Sequence, residues 1–175
     1  LDNATIHADA GSGVAVFGAS AAIAANAGVA VAAAVNDVSN ETRAAIIDST
    51  ITDTPILSIH ADSTPTIQAF ALGISGVLGV GGLLGVSVSG AGAVSLNRTN
   101  NITEALIQGS EVTDADIVLV DADDGSTIFS STAGAAISVS AGGLLSVSAA
   151  VGLSAAYNEI SNETRALIGD ASVSS

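Results

Sequence analysis

The feature that most constrains this chain is a repeat. Asn40, Asn101 and Asn162 follow a 61-residue period, and Asn36, Asn97 and Asn158 keep the same interval. Around them the copies run in step: "AAIIDSTITD" from Ala44, "ALIQGSEVTD" from Ala105 and "ALIGDASVSS" from Ala166. "SNETRA" occurs at Ser39–Ala44 and at Ser161–Ala166, with its relative "NNITEA" at Asn100–Ala105. Upstream, "IHADS" from Ile59 matches "VDADD" from Val120 at that same interval, whereas "IHADA" from Ile6 matches "IHADS" at 53. A fixed long period is the mark of an array. The 175 residues divide into one solenoid of three repeats, 1–53, 54–114 and 115–175, with the first copy shorter by eight residues. Joining "DASVSS" to "LDNATIHAD" reproduces a junction like the internal one. The residues are therefore expected to be one period of a longer repetitive polymer, or a subunit that stacks head to tail. The absence of an initiator Met agrees with a fragment or processed product.

Each copy holds about four strand-like runs, placed in the second copy near Thr42–Ile47, Ile56–Ala61, Ile67–Ile74 and Leu83–Leu96. They are rich in Val, Ile and Thr and are separated by Asp, Asn, Gly, Ser and Pro. Leu57, Ile59 and Ala61 alternate inward, matched by Val118, Val120 and Ala122 and, at the shorter offset, by Ala4, Ile6 and Ala8. Ala44 and Ile46, Ala105 and Ile107, and Ala166 and Ile168 form a second inward set. Period two is the strand signature. Nineteen Gly and many β-branched residues oppose helix.

The longest runs are "AANAGVAVAAAVN", "LLGVSVSGAGAVSLN" and "LLSVSAAVGLSAAYN". One face carries Val86, Val88, Val94 and Leu96, and the other carries Ser87, Ser89, Ala91, Ala93 and Ser95. A strand facing water normally turns charge or Thr outward, so both faces are read as covered. Small side chains permit close approach of sheets, as in stacked β fibres. One copy alone buries too little apolar area to offset a backbone ordering cost of roughly 1–2 kcal/mol per residue. Stacking lets each layer cover its neighbour. The expected fold is all-β, a repetitive β-solenoid of the parallel β-helix kind that stacks into a fibre. Three coils of about 20 residues fit each repeat, and so does one large folded layer.

The "NETRA" position discriminates between these packings. Successive copies place Arg43, Glu104 and Arg165 there, alternating in charge. With one layer per copy they stack about 4.8 Å apart and pair. With three coils they lie about 14 Å apart and the alternation is accidental. Arg43, Glu104 and Arg165, together with Asn36, Asn97 and Asn158, are the candidate inter-repeat stacking residues.

Other chemistries fare less well. A net charge of −14 with only three Arg and no Lys argues against nucleic acid and anionic membrane surfaces. Without Cys, disulfides and thiolate zinc sites are excluded. The apolar stretch Phe70–Val88 contains six Gly, lacks aromatic anchors and alternates near its end, which speaks against membrane insertion. "VDADDGS" at Val120–Ser126 has the look of a calcium loop, with Asp121, Asp123 and Asp124. It lacks an EF-hand's spaced ligands and final Glu, and His7 and His60 replace Asp121 in the other copies, so it reads as an acidic turn. No cofactor is expected. Shared repeat positions make the two His turn residues, and no nucleophile motif or phosphate loop is present, so no enzyme activity is expected. Asn-x-Thr sequons at Asn3, Asn40, Asn97, Asn101 and Asn162 follow the repeat. They are read as Asn and Thr holding turns in preference to glycan sites. Ice binding would need a regular outward Thr array, which is missing.

The order "AxI…STIT…IxIxAD…GxxGVGG…VSVxxAVxxN…NxTxA" resembles repeats of very large secreted bacterial exoproteins, the filamentous adhesin and leukotoxin-like group, over essentially the whole chain. The resemblance implies secretion, a long β-helical fibre or stalk, and a role in surface structure or attachment. The expected function is a structural segment of an extracellular or cell-surface filament. It is built by axial β-stacking of repeats, head to tail with identical or covalently continuous units, so that its main partner is itself. The alternative is an adhesin stalk or binding module recognising cell-surface glycans or other cells.

Overall fold

The computed structural model describes residues 1–174. It is all-β, with fourteen strands and no helix among the described residues. The strands are Thr5–Ser20 (β1), Ile23–Val38 (β2), Glu41–Ile47 (β3), Thr50–Thr52 (β4), Ile56–Ser63 (β5), Thr66–Gly81 (β6) and Leu84–Thr99 (β7). They continue as Ile102–Gln108 (β8), Glu111–Thr113 (β9), Ile117–Asp124 (β10), Thr127–Gly142 (β11), Leu145–Ile160 (β12), Glu163–Gly169 (β13) and Ser172–Val173 (β14). All pairing is parallel, and every register step is one full repeat: Ile67 lies between Ile6 and Ile128, and Asn97 between Asn36 and Asn158. Each repeat is thus one turn of a β-solenoid, a single layer about 4.8 Å thick. Three-coil packing of the repeat is replaced by one large folded layer.

Within layer 2 the chain runs out along β5 and β6, reverses at Gly82–Leu83 and returns along β7 and β8. Ser75 meets Ser89, and the backbone at Gly73 abuts Gly92, so the two arms face each other in opposite directions. Layer 1 repeats this path with β1 to β4, and layer 3 with β10 to β14. The stretch Phe70–Val88 is therefore two strands and their turn, and no helix among the described residues is long and apolar enough to cross a membrane. β6 extends seven residues beyond the run expected to end at Ile74, because Gly and Ser dilute the β-propensity there without breaking the alternation. Left-handed backbone closes each layer. Asp48, Gly109 and Asp170 share one such turn column, with φ of 47°, 59° and 46°, and Asp53 and Asp114 share another at 57° and 56°. Asp and Gly tolerate this region better than other residues, which explains why they recur there.

The arms are staggered by half a layer. β6 packs on both β2 and β7, and β11 packs on both β7 and β12. Ser75 Oγ accordingly donates to the Gly28 carbonyl of layer 1 (3.1 Å), and Ser138 Oγ of layer 3 donates to the Ser87 carbonyl of layer 2 (2.8 Å). β12 has only β11 against it, so its inward positions are exposed, whereas the matching Ser87 and Ser95 of β7 are fully buried.

Two expectations need correction. Ile6 aligns with Ile67, not Ile59, and Asp2 bridges Ser63. The first copy is short because these residues hold no counterpart of most of β5, not because of an internal deletion. Eight is an even shift, so either alignment sends Ile6 and Ala8 inward, and alternation alone could not tell them apart. Consequently His7 lies beside Gln68 and does not share the His60 position. The second correction concerns the long strands. In β2 and β7 the Ser/Ala face is covered by the opposing arm, but the Val/Leu face is open: Val86, Val88, Val94 and Leu96 are all exposed.

Candidate functional site

Ladders that run along the stacking axis are the most developed polar features of the molecule. Asn36, Asn97 and Asn158 project inward near the ends of β2, β7 and β12, and Asn97 is buried. Asn36 Nδ2 donates to Asn97 Oδ1 at 2.8 Å, and Asn97 Nδ2 donates to Asn158 Oδ1 at 2.7 Å. An amide can accept from one layer while donating to the next, so the column propagates without leaving a buried polar group unpaired. The column has a direction: the donor of Asn158 faces the open edge of layer 3.

A second column, Asn40, Asn101 and Asn162, stitches the layers differently. The Asn40 backbone N–H donates to Asn101 Oδ1 (3.1 Å), and the Asn101 N–H donates to Asn162 Oδ1 (3.0 Å). Their side-chain N–H groups cross to the other arm at the hinge between β5 and β6 and its equivalents. Asn40 donates to Asp2 Oδ2 (2.8 Å), Asn101 to Ser126 Oγ (3.1 Å), and Asn162 to Asp124 Oδ1 (2.5 Å) and Ser126 Oγ (2.8 Å). Burial pulls the Asp124 carboxyl upward, but hydrogen bonds from Ser126, Asn162 and Thr103 together outweigh it and hold the group below its ordinary value. Because Asn97 and Asn101 are buried, two of the five sequons are closed in the folded chain, while Asn3 is exposed.

Charge columns line the outside. Arg43 Nε lies 3.0 Å from Glu104 Oε2, while Arg165 turns along its own strand to Glu163. Asp37, Arg98 and Glu159 form a parallel column in which Arg98 Nε reaches Glu159 Oε2 at 3.2 Å. His60 Nδ1 lies 3.0 Å from Asp121 Oδ2. All four pairs keep at least one partner well exposed, Glu104 being the most buried of the carboxylates, so each contributes roughly 0–1 kcal/mol. Of the stacking candidates, the structure brings together all three Asn and the Arg43–Glu104 pair, and it sends Arg165 elsewhere. The sequence reading missed the columns at Asp37 and Asn40 as stacking sites, although the same repeat-to-repeat comparison marks them.

The acidic loop does not converge. Asp121 and Asp123 alternate outward on β10 while Asp124 points inward, so the strand pleat separates the carboxylates. No group of three or more metal-ligating side chains comes together among the described residues.

Apolar surface dominates the rest. On the return arm the outward positions from Ile23 to Val35, Leu84 to Leu96 and Leu145 to Leu153 carry only Ala, Val, Ile, Leu and Gly. On the outgoing arm, Ala15, Phe17, Gly76, Leu78, Ile137 and Val139 line a shallow groove of about 440 Å³. Compared with protein-family models, curated proteins and solved structures, the chain gives no match.

Proposed function

We propose that this chain is a structural segment of an extracellular or cell-surface filament, elongated by axial β-stacking of its repeat layers. The units are joined head to tail, either as identical copies or as one continuous polypeptide. The observation that carries this reading is the unfinished edge of layer 3. The inward face of β12 is exposed although its counterparts in β7 are buried, and the Asn ladder ends there on Asn158. A further layer would bury that face and accept the ladder's donor. The resemblance of the repeat to secreted bacterial exoproteins supports placement outside the cell. Electron microscopy of native material tests the proposal. Long unbranched fibres with an axial repeat are expected, and discrete monomers would overturn it.

A further inference from the structure

Two outward columns change sign at every layer. Asp37, Arg98 and Glu159 read minus, plus, minus, and Arg43, Glu104 and Arg165 read plus, minus, plus. Three layers therefore end as they begin. A second copy stacked in register on layer 3 would set its Asp37 over Glu159 and its Arg43 over Arg165, each about 4.8 Å away. Like charges directly opposite destabilise a strand pair. Glu163, already holding Arg165, and Glu41 dilute the contact between the two Arg. The acid contact gains no cation from the added layer, whose neighbouring outward residue is Val35, and on the lower side Glu159 is already held by Arg98 Nε and Tyr157 Oη, each at 3.2 Å; the chain as a whole carries −14.

We infer that the open edge of layer 3 is built to receive a full-length β layer of the layer 2 kind, rather than layer 1 of a second copy. That layer places a cation over Glu159, a carboxylate over Arg165, and a strand carrying an imidazole or a cation over Asp121. These are the partners the same residues, or their columns, meet on the lower side as Arg98, Glu104 and His60. The electrostatic period of the stack is thus two layers. The inference rests on axial stacking and selects, within it, alternating layers of a continuous or mixed polymer over identical three-layer units.

The test compares the 175-residue chain with a four-layer chain, in which a second copy of residues 54–114 follows Ser175. The upper edge of the four-layer chain then complements Asp37 and Arg43 of the next copy. Sedimentation velocity and electron microscopy should show end-to-end association at about tenfold lower concentration for the four-layer chain at low salt, the effect of about 1.4 kcal/mol. Salt of about 0.5 M should weaken its association and promote that of the three-layer chain, by screening attraction in one and repulsion in the other. A second variant, Glu159→Arg with Arg165→Glu, moves the mismatch inside the molecule. It should associate more readily while melting at a lower temperature. Equal association of all three chains would overturn the inference and leave axial stacking intact. Failure of every chain to associate at any salt would overturn axial stacking itself, and the inference with it.

Discussion

Each layer fills its long part, β6 facing β7, and its short part, β5 facing β8, with different side chains. Between β6 and β7 the interior is Ala69, Ala71, Gly73 and Ser75 against Ser89, Ala91, Ala93 and Ser95. The backbones approach so closely that a Cβ at Gly73 would collide with the Gly92 carbonyl oxygen. Between β5 and β8, Ile59 and Ala61 meet Ala105 and Ile107, with Leu57, Ile46, Val118 and Val120 around them. The short part is an ordinary aliphatic core, stabilised by roughly 25 cal/mol for each Å² of apolar area removed from water. Between the buried Ile67 and Val77, the long part has little side-chain volume to bury. Its cohesion comes from interlayer backbone hydrogen bonds and from dispersion between closely spaced sheets. One chain thus holds itself together by side-chain burial at one end of the layer and by backbone proximity at the other.

Substitutions can separate the two modes. Ile107→Ala should cause the largest loss, about 2–5 kcal/mol by denaturant unfolding, because it leaves a cavity in the aliphatic cluster around Ile59, Ala61 and Ala105. Gly73→Ala, which adds a single methyl group, should also destabilise, by about 1–3 kcal/mol, since the neighbouring atom is backbone and has no rotamer to yield. A neutral Gly73→Ala would show that the sheets are not held as close as the structure places them. The smallest effect belongs to the hinge between the two parts. The Asp124 carboxyl is held below its ordinary 3.8, so its contribution is fully present above that pH and is lost as pH falls through the lower folded value. Thermal melts between about pH 5 and pH 2 should show this loss. Asp124→Asn should flatten that part of the profile. An unchanged profile would remove the hinge network from the account.

Much of the fold is legible in the residues. The repeat period sets the number of copies, alternation marks the strands, and comparing equivalent positions exposes the Asn36 and Arg43 columns. The Asn40 column is visible too, but Asn-x-Thr has a familiar local explanation in turn chemistry that hides its stacking role. What its side chains do depends on Asp2, Asp124 and Ser126, which belong to the opposite arm.

Its residues alone commit this chain to a periodic parallel β array, with like residues recurring at some positions of the repeat, as at Asn36, Asn97 and Asn158, and alternating charges at others, as at Arg43, Glu104 and Arg165. They do so because a strand's pleat and an in-register stack both leave simple periodicities. Three things emerge only from the packing in space: each repeat is one layer, layer 1 starts at the level of the β5–β6 hinge, and the small-residue face turns inward while Val and Leu face out. Period two divides a strand into two faces without saying which is covered. The choice is made by the other arm, and only the Gly, Ala and Ser face lets that arm come close enough to pack.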